Sequence, residues 1–318
     1  MPLKKSITVI IPVYNAEATL QDISARAHSV LNDLTDSFEL IFVNDGSQDQ
    51  SWEQIQKIGA QSKHVRGINL MRNYGQHNAL LCGIREARYD LTVTLDDDLQ
   101  TPPEEIPKLI SKLNEGYDVV YGIPEKTRHS PWRAATSKII KSGLSGILNV
   151  KIAEMIGPFR IFKTNLRKHF VHHRSPYVNI DVLLSWGARN YGGIQVEHAE
   201  RAHGKSGYNL LKLIRHTVNM VTGYSSLPLK IASMVGFAFM IFGGFIITYV
   251  LARYLISGVA IPGFAFLASI ISIYSGAQLF ALGIIGEYLS RMYFCIMDKP
   301  AYTIGETFNE PKNPQENT

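Results

Sequence analysis

Short apolar, β-branched runs alternate with longer segments of helical spacing through the first part of the chain. This alternation predicts buried strands joined by helices, and therefore a mostly parallel α/β sheet with helices on both faces. Strands are expected at 6–13, 38–43, 65–70, 91–95, 118–121 and 193–200. Helices are expected at 16–34, 52–60, 75–87, 103–114 and 181–187.

Two uncharged stretches follow, at 231–252 and 264–286. Each has about 22 residues, which at about 1.5 Å per residue is long enough to cross the hydrocarbon core of a membrane. Basic residues flank the pair on its outer sides and are absent from the link 256–263. The positive-inside rule therefore predicts an integral, multi-pass protein of the cytoplasmic (inner) membrane with both termini in the cytoplasm.

The pattern predicts four regions along the 318 residues. They are an α/β domain at 1–205, an amphipathic juxtamembrane segment at 206–229, the membrane pair at 230–290 and a cytoplasmic tail at 291–318. The formal net charge of +5 suits an anionic partner such as a membrane surface. Nucleic acid is disfavoured as a partner, because the positive charge clusters near the membrane segments and not with aromatic residues on a sheet face.

Polar residues follow the ends of the predicted strands, where ligands bind in open α/β sheets. No Gly-x-Gly-x-x-Gly follows the first strand and no P-loop is present, so a dinucleotide-binding domain and a P-loop nucleotidase are disfavoured. The residues at the strand ends are Tyr14, Asn15, Asp45, Asp49, Arg72, Asn73, Asp96 and Asp98.

The fourth strand runs into the acidic stretch Asp96-Asp97-Asp98-Leu99-Gln100. If strand geometry continues, Asp96, Asp98 and Gln100 share one face, and Asp97 points away and is the aspartate that the chemistry can spare. Two carboxylates and an amide oxygen form a set of hard ligands suited to Mg²⁺ or Mn²⁺. The alternative is a solvated acidic turn at the start of the next helix, where acidic side chains are favoured.

Five motifs in this order resemble those of family 2 glycosyltransferases, and within them the polyisoprenyl-phosphate glycosyltransferases. The resemblance covers about residues 6–300. It implies a Rossmann-like GT-A fold, a nucleotide sugar donor, a polyprenyl (undecaprenyl) phosphate acceptor, Mg²⁺ or Mn²⁺, inverting transfer and a homo-oligomer. The motifs are Pro12-Val-Tyr-Asn15, Asn44-Asp45-Gly-Ser-x-Asp49, Arg72-Asn-Tyr-Gly75, Asp96-x-Asp98-Leu-Gln100-x-Pro-Pro-Glu104 and Arg201-x-x-Gly204-x-Ser206.

The resemblance also implies roles for individual residues. Asp96, Asp98 and Arg201 would be catalytic, with Arg201 clamping the diphosphate or the acceptor phosphate. The nucleotide sugar would be bound by Pro12, Tyr14, Asn15, Glu17, Asp45, Arg72 and Asp96. The metal would be bound by Asp98 and Gln100, with Asp96. The candidates for the acceptor phosphate are Arg128, Arg133, Ser137 and Arg160.

One motif departs from the family pattern. The segment Gly157-Pro158-Phe159-Arg160 lacks an acidic residue sometimes found there, so no general base is assigned to it. A general base is less necessary for a phosphate acceptor, because a phosphate monoester has a second pKa of about 6 and is already largely ionised at neutral pH.

The donor and the reaction class leave alternatives. UDP-glucose is the first expectation for the donor, with GDP-mannose and UDP-aminoarabinose as alternatives. A processive polysaccharide synthase is disfavoured because Trp186 is not preceded by a Gln-x-x-Arg motif. A non-enzymatic membrane protein would leave the converging carboxylates without a purpose.

Overall fold

The computed structural model describes residues 5–124, 155–199, 222–257 and 263–310. The chain divides into two compact units. The α/β unit contains Met1–Leu210 together with Asp298–Thr318, and the helical unit contains Leu211–Met297. The juxtamembrane segment predicted at 206–229 lies mostly outside the described residues.

The helices and strands follow the predicted alternation. The strands are β1 Ile7–Val13, β2 Phe38–Asn44, β3 Val65–Leu70, β4 Leu91–Thr94, β5 Val119–Pro124, β6 Arg160–Lys163, β7 Tyr191–Val196 and β8 Ile304–Phe308. The helices of the α/β unit are α1 Leu20–Leu34, α2 Ser51–Gln61, α3 Gln76–Glu86, α4 Ile106–Leu113 and α5 Ile180–Ser185, with 3₁₀ turns at Pro103–Glu105 and Thr164–His169. The helical unit contains α6 Leu227–Ser257 and α7 Phe264–Ile296.

Within the described residues, the strands form one eight-stranded sheet in the order β7-β5-β6-β4-β1-β2-β3-β8. The pairs β1–β2, β2–β3, β1–β4 and β5–β7 are parallel, whereas β6 and β8 are antiparallel to their neighbours. Strands β2 and β3 lie on one side of β1, and β4 lies on its other side. The strand order therefore reverses between β1 and β4, which is where open α/β sheets form a ligand crevice.

The central strands are buried on both faces, which explains their near-continuous apolar sequences. Every residue of β1 is buried. Ile7 and Val9 belong to the core under α1 and α4, whereas Ile10 belongs to the core under α3. Helix α3 lies very close to the sheet, because a Cβ at Gly83 would come within 2.4 Å of Ile10 Cγ2. The predicted fold, a mostly parallel sheet between two layers of helices, is confirmed.

The helical unit contains two helices that are long and apolar enough to cross a membrane. The qualifying spans are Leu227–Arg253, with a mean hydropathy of 2.2, and Ile273–Ile296, with a mean hydropathy of 1.4. Their windows are 0% and 6% buried, so their apolar side chains are exposed, unlike those of a soluble core helix. The predicted pair of long apolar helices is present, and α7 continues to Ile296, beyond the predicted end at 286.

The segment after α7 differs from the cytoplasmic tail predicted at 291–318. Residues 304–308 form β8, which pairs with β3 and completes that edge of the sheet. A sheet edge left open exposes unpaired backbone groups, and β8 covers this one along most of β3.

Candidate active site at the carboxyl ends of the central strands

The carboxyl ends of β1, β2, β3 and β4 lie at the same edge of the sheet. The parallel register aligns Val13 with Asn44 and Asn44 with Asn69, and it aligns Ile10 with Thr94. The loops that follow these strands therefore meet at one edge, as the sequence predicted. Those loops contain Tyr14, Asn15, Asp45, Arg72, Asp96 and Asp98.

Asp45 joins the loops after β2 and β3. Its carboxylate accepts hydrogen bonds from the backbone N–H of Tyr74, at 2.7 Å to Oδ1, and of Gly75, at 2.8 Å to Oδ2. Asp45 is 2% exposed. Burial raises its pKa, and the two backbone hydrogen bonds oppose that rise because they stabilise the ionised form.

The turn after Asp45 allows a very close approach of the two loops. Gly46 has φ of +66°, in the left-handed region, and a Cβ there would come within 2.5 Å of the Arg72 carbonyl carbon. Glycine is therefore required both by the backbone conformation and by the packing. Arg72 itself is exposed, and its guanidinium carbon lies 4.9 Å from the centre of the Tyr74 ring, a cation–π contact.

The loop after β1 is interlocked with the turn before α2. Asn15, with φ of +52°, accepts a hydrogen bond on its side chain from the backbone N–H of Gln48 at 2.8 Å. Glu17 accepts one from the backbone N–H of Gln50 at 2.9 Å and donates its own backbone N–H to Asp49 at 3.2 Å. The Asn15 side chain and the side chain and backbone N–H of Glu17 therefore hold the loop after β1 against the turn before α2.

The acidic stretch after β4 is a turn and does not continue the strand. The strand ends at Thr94, and Leu99 has φ of +57°. The predicted alternation of side chains on two faces is therefore wrong beyond the strand. Asp97 has structural contacts: its Oδ2 accepts the backbone N–H of Tyr14 at 3.0 Å, and its backbone carbonyl accepts the Thr19 hydroxyl at 2.6 Å. Asp97 thus ties the ends of β4 and β1 together across the crevice.

Asp96 and Asp98 have different partners. Asp96 Oδ1 accepts a hydrogen bond from Gln76 Nε2, at the start of α3, at 2.7 Å. Asp98 accepts the backbone N–H of Gln100 at 3.1 Å and the Gln100 side-chain amide at 2.7 Å. Gln100 therefore points its nitrogen toward Asp98, and a rotation of the amide would point its oxygen to the same place.

Asp98 and Gln100 are suitable ligands for a hard divalent cation. Among the described residues, no group of three or more His, Cys, Asp or Glu side chains is arranged to bind a metal. A pair of protein oxygen ligands still fits Mg²⁺ or Mn²⁺ chemistry, because Mg²⁺ is commonly bound by one or two carboxylates together with substrate phosphates and water. The backbone carbonyl oxygen of Gln100 also accepts a hydrogen bond from the backbone N–H of Ala199 at 2.8 Å.

Known proteins match this chain over most of its length. A model of glycosyl transferase family 2 matches residues 8–173. The undecaprenyl-phosphate 4-deoxy-4-formamido-L-arabinose transferase of Pseudomonas paraeruginosa is 35% identical over 301 residues, which cover 94% of this chain and 89% of that protein. The chain belongs to glycosyltransferase family 2. The Aeromonas hydrophila transferase of the same name is 34% identical over 316 residues, which cover 98% of this chain and 97% of that protein.

Solved structures agree with a GT-A fold for this family 2 glycosyltransferase. Glucosyl-3-phosphoglycerate synthase from Mycobacterium tuberculosis, in complex with Mn²⁺, UDP and glucosyl-3-phosphoglycerate, superimposes with a TM-score of 0.53. Its sequence is 16% identical, and the match covers 70% of this chain and 81% of that chain. At this identity the likeness concerns the fold. The predicted resemblance to polyisoprenyl-phosphate glycosyltransferases and the predicted enzyme class are confirmed by the family match and the curated relatives.

Three residues predicted to bind ligands are buried in the glycosyltransferase: Pro12, Asp45 and Arg160. Pro12 lies inside β1, in register with Val43, and is buried. Arg160, a candidate for the acceptor phosphate, is 2% exposed and forms a buried ion pair with Asp181. Its Nε also donates to Thr94 Oγ1 at 3.1 Å. The buried guanidinium is held by Asp181 and Thr94 in a structural role, and contact with the acceptor phosphate stays a prediction.

The other predicted site residues include an exposed tyrosine and four residues outside the part of the chain that the structure describes. Tyr14, after β1, is 48% exposed, and Arg72, after β3, is also exposed. Four predicted residues lie outside the described residues: Arg128, Arg133, Ser137 and Arg201.

Sequence reasoning missed Gln76, Asp97 and the strand β8 as parts of this region. Gln76 had no signal, because a hydrogen bond to Asp96 depends on how α3 is placed on the sheet. The segment 302–308 did contain one: apart from Glu306, it alternates aromatic or aliphatic residues with threonine and glycine, which is typical of a strand.

Proposed function

We propose that this enzyme transfers 4-deoxy-4-formamido-L-arabinose, or the related 4-aminoarabinose, from a UDP-linked donor to undecaprenyl phosphate. The observation that supports it most is the combination, in one chain, of the half-buried acidic turn at Asp96–Asp98, two exposed apolar helices and curated relatives of that activity. UDP-glucose, the first expectation from sequence, is not favoured by these relatives and becomes the main competitor in the test.

In the proposed reaction, a phosphate oxygen of the acceptor forms a bond to the anomeric carbon as the bond to the nucleoside diphosphate breaks. Attack in line with the leaving group inverts the configuration at that carbon. Because the phosphate is already largely ionised at neutral pH, no strong general base is needed. The remaining tasks for the protein are to orient two anions and to neutralise the leaving diphosphate.

Asp98 and Gln100 are proposed to bind Mg²⁺ or Mn²⁺, with Asp96 as a further ligand or as a partner of the ribose. Such an ion would offset the negative charge of the leaving diphosphate. Asp98 is well placed for this role, since it follows β4 at the switch point of the sheet. Gln100 supports it because its amide already contacts the Asp98 carboxylate.

The nucleotide is proposed to bind over the loops after β1, β2 and β3. Tyr14 offers an exposed ring on which a base can stack, and Arg72, in the loop after β3, offers an exposed positive charge. Asp45 would accept the base imide N–H, since each carboxylate oxygen has two lone pairs and the backbone of Tyr74 and Gly75 uses one on each.

Arg201 is proposed to clamp the diphosphate or the acceptor phosphate. This role rests on the resemblance of the Arg201-x-x-Gly204-x-Ser206 motif, because Arg201 lies outside the described residues. Arg128, Arg133 and Ser137 remain proposals for the acceptor phosphate on the strength of the resemblance alone.

The two apolar helices suit membrane association, and the connectivity of the chain supports a topology. Residues on both sides of the helical unit belong to one sheet, since β7 precedes it and β8 follows it. Both flanks therefore lie on the same side of any membrane that α6 and α7 cross. The basic residues on those flanks favour the cytoplasmic side.

A donor panel tests the proposal. Purified full-length protein is incubated with undecaprenyl phosphate, Mn²⁺ or Mg²⁺, and labelled UDP-4-deoxy-4-formamido-L-arabinose, UDP-4-aminoarabinose, UDP-glucose or GDP-mannose. Label is expected in the lipid phase with the arabinose donors and at most weakly with the others. Label from UDP-glucose alone would overturn the proposed sugar, and no lipid label from any donor would overturn the reaction.

The variant Asp98→Ala tests whether the acidic turn at Asp96–Asp98 is needed for transfer. It is expected to lower transfer at least about a thousandfold, because the leaving diphosphate loses its neutralising partner. Expression and membrane insertion are expected to stay unchanged. Normal turnover by this variant would show that Asp98 is not the metal ligand.

A further inference from the structure

A small cavity of about 280 Å³ lies beside the last turn of α3 in the α/β unit. The cavity is lined by Arg85 from that turn, by His173 and Arg174, and by residues of the segment 298–302 that follows α7. Its volume is slightly below the range of about 300–1,000 Å³ for pockets that hold drug-sized ligands. The cavity therefore suits a small ligand or one group of a larger molecule.

The guanidinium of Arg85 brings a half-buried positive charge to this cavity. Its Nη1 donates to the Tyr302 hydroxyl at 3.3 Å, and its Nη2 donates to the backbone carbonyl of His173. Both partners are uncharged, and no carboxylate within the described part of the chain forms an ion pair with Arg85. A charge that is partly withdrawn from water is costly unless it is paired, so an anion is the partner that this guanidinium favours.

The other ionisable groups that line the cavity leave its net charge positive. Arg174 pairs with Asp298 at 2.9 Å, but their side chains are 68% and 61% exposed. Such an exposed pair contributes little to stability, so Arg174 can turn toward an anion in the cavity. Burial, and to a smaller extent the Arg85 charge, lowers the pKa of His173. Burial raises the pKa of Tyr302 to about 12, so both of these rings are uncharged at neutral pH.

The cavity is separate from the acidic turn at Asp96–Asp98. Helix α3 begins at Gln76, whose side chain contacts Asp96. At a rise of 1.5 Å per residue, the Arg85 backbone lies about 13 Å further along the helix. An acceptor phosphate has to reach the acidic turn to react there, so an anion held by Arg85 occupies a different site.

We propose that this cavity is an anion site distinct from the site of sugar transfer, in which Arg85 and Arg174 bind a phosphate group. Guanidinium groups present parallel N–H donors that match the oxygens of a phosphate. The phosphate can belong to a free phosphate compound or to the headgroup of an anionic membrane lipid. Asp298 is the second residue after α7, which ends at Ile296, and anionic headgroups are concentrated at a membrane surface. The lipid source therefore rests on the proposed crossing of a membrane by α7, whereas the binding of phosphate does not.

A purely structural role for Arg85 predicts something different. If its guanidinium only ties α3 to Tyr302 and to the His173 carbonyl, the wild type binds no phosphate and Arg85→Met lowers only the stability. If the cavity is an anion site, phosphate binds the wild type and raises its Tm, because a ligand that binds only the folded state stabilises it. The Kd for phosphate therefore separates the two roles.

The first experiment is calorimetric titration of the full-length protein with inorganic phosphate in metal-free buffer, so that no cation holds phosphate at the acidic turn. Arg85→Met is expected to raise the Kd about ten- to hundredfold, the effect of losing a hydrogen bond between charged groups. Arg85→Lys, which keeps the charge but not the two parallel donors, and Arg174→Gln are expected to raise it by smaller factors. The control is Lys57→Met, which removes an exposed positive charge from α2 and is expected to match the wild type.

Three results of this titration would overturn the inference. They are a wild type that binds no phosphate, an Arg85→Met variant that binds phosphate as the wild type does, and an equal loss in Lys57→Met. Acetate bound as tightly as phosphate would overturn the assignment of a phosphate group. If Arg85→Met does not fold, Arg85→Lys and Arg174→Gln carry the same test, and wild-type affinity in both would overturn the site.

The second experiment distinguishes the two sources of the phosphate. The protein is placed in nanodiscs of phosphatidylcholine with phosphatidylglycerol, and the phosphatidylglycerol molecules that stay bound are counted by native mass spectrometry. One fewer in Arg85→Met than in Lys57→Met supports a lipid headgroup, whereas equal counts would overturn the lipid source and assign the site to a free phosphate compound. A protein that does not enter nanodiscs would overturn the proposed membrane crossing, and the phosphate titration would still decide the site.

Discussion

Removing the charge of Asp181 is expected to destabilise the α/β unit strongly. Asp181 is 5% exposed and Arg160 is 2% exposed, and the two form an ion pair beneath the carboxyl end of β4. Asp181 also accepts the Tyr121 hydroxyl at 3.0 Å. Asp181→Leu leaves a buried guanidinium without a counter-charge, which costs about 3–5 kcal/mol. For a unit of this size that lowers Tm by roughly 6–20 °C.

The double variant Arg160→Met/Asp181→Leu separates structure from catalysis. Replacing both charges by apolar side chains of similar volume is often neutral in stability, so most of the lost Tm is expected to return. The Tyr121 hydroxyl then lacks its partner, at a cost of about 1–3 kcal/mol, and a third change, Tyr121→Phe, removes that cost. Thermal unfolding followed by tryptophan fluorescence, with transfer rates on the same samples, provides the measurement.

Two results would refute this reasoning. An Asp181→Leu variant that unfolds within about 2 °C of the wild type would contradict the buried ion pair. A triple variant with wild-type Tm that nevertheless has a much higher KM for undecaprenyl phosphate would mean that Arg160 contacts the acceptor, as the sequence analysis expected. The structural role requires that stability and transfer are lost and recovered together.

Two further changes test the turn after β2 and a charge at the other end of the sheet. Gly46→Ala forces a Cβ to within 2.5 Å of the Arg72 backbone, so it is expected to lower Tm by several degrees and to raise the donor KM. The control is Gly116→Ala, where φ is +105° and no atom lies near the added Cβ. This control is expected to lower Tm only by the smaller cost of backbone strain. Burial raises the pKa of Asp118, but hydrogen bonds from Lys163 at 2.8 Å and from two backbone N–H groups outweigh it, so the pKa lies below the usual value. Asp118→Asn is therefore expected to be less stable than the wild type above pH of about 4, with the difference shrinking as the pH falls further; a difference in Tm that grows toward acid would contradict the sign.

The sheet and the meeting of its loops could be predicted from sequence for a physical reason. Parallel strands buried on both faces are continuous apolar runs, and Ile7–Val13 and Phe38–Asn44 show this pattern clearly. Once the strands are parallel, their carboxyl ends share one edge, so the polar residues that follow must meet. Geometry alone then brings Tyr14, Asp45 and Asp98 to one region.

The roles of individual side chains could not be predicted in the same way. The alternation rule for Asp96 to Gln100 assumed a strand, but the chain turns after Thr94, and Asp97 becomes the link to Tyr14. Sequence shows that Arg160 is charged but not that it is buried, since burial depends on a partner twenty-one positions away. Strands β3 and β8 pair although most of the chain lies between them in sequence, and no local rule predicts a contact of that separation.

The central claim is transfer of the sugar to a lipid phosphate, and the mass of the lipid product tests it most directly. Full-length protein, undecaprenyl phosphate, Mn²⁺ and UDP-4-deoxy-4-formamido-L-arabinose are incubated, and the lipid extract is analysed by mass spectrometry. We expect a new species with the mass of the acceptor plus one sugar minus one water, absent without undecaprenyl phosphate and absent with Asp98→Ala. Free sugar and UDP with unmodified undecaprenyl phosphate, from protein that binds the donor, would contradict it.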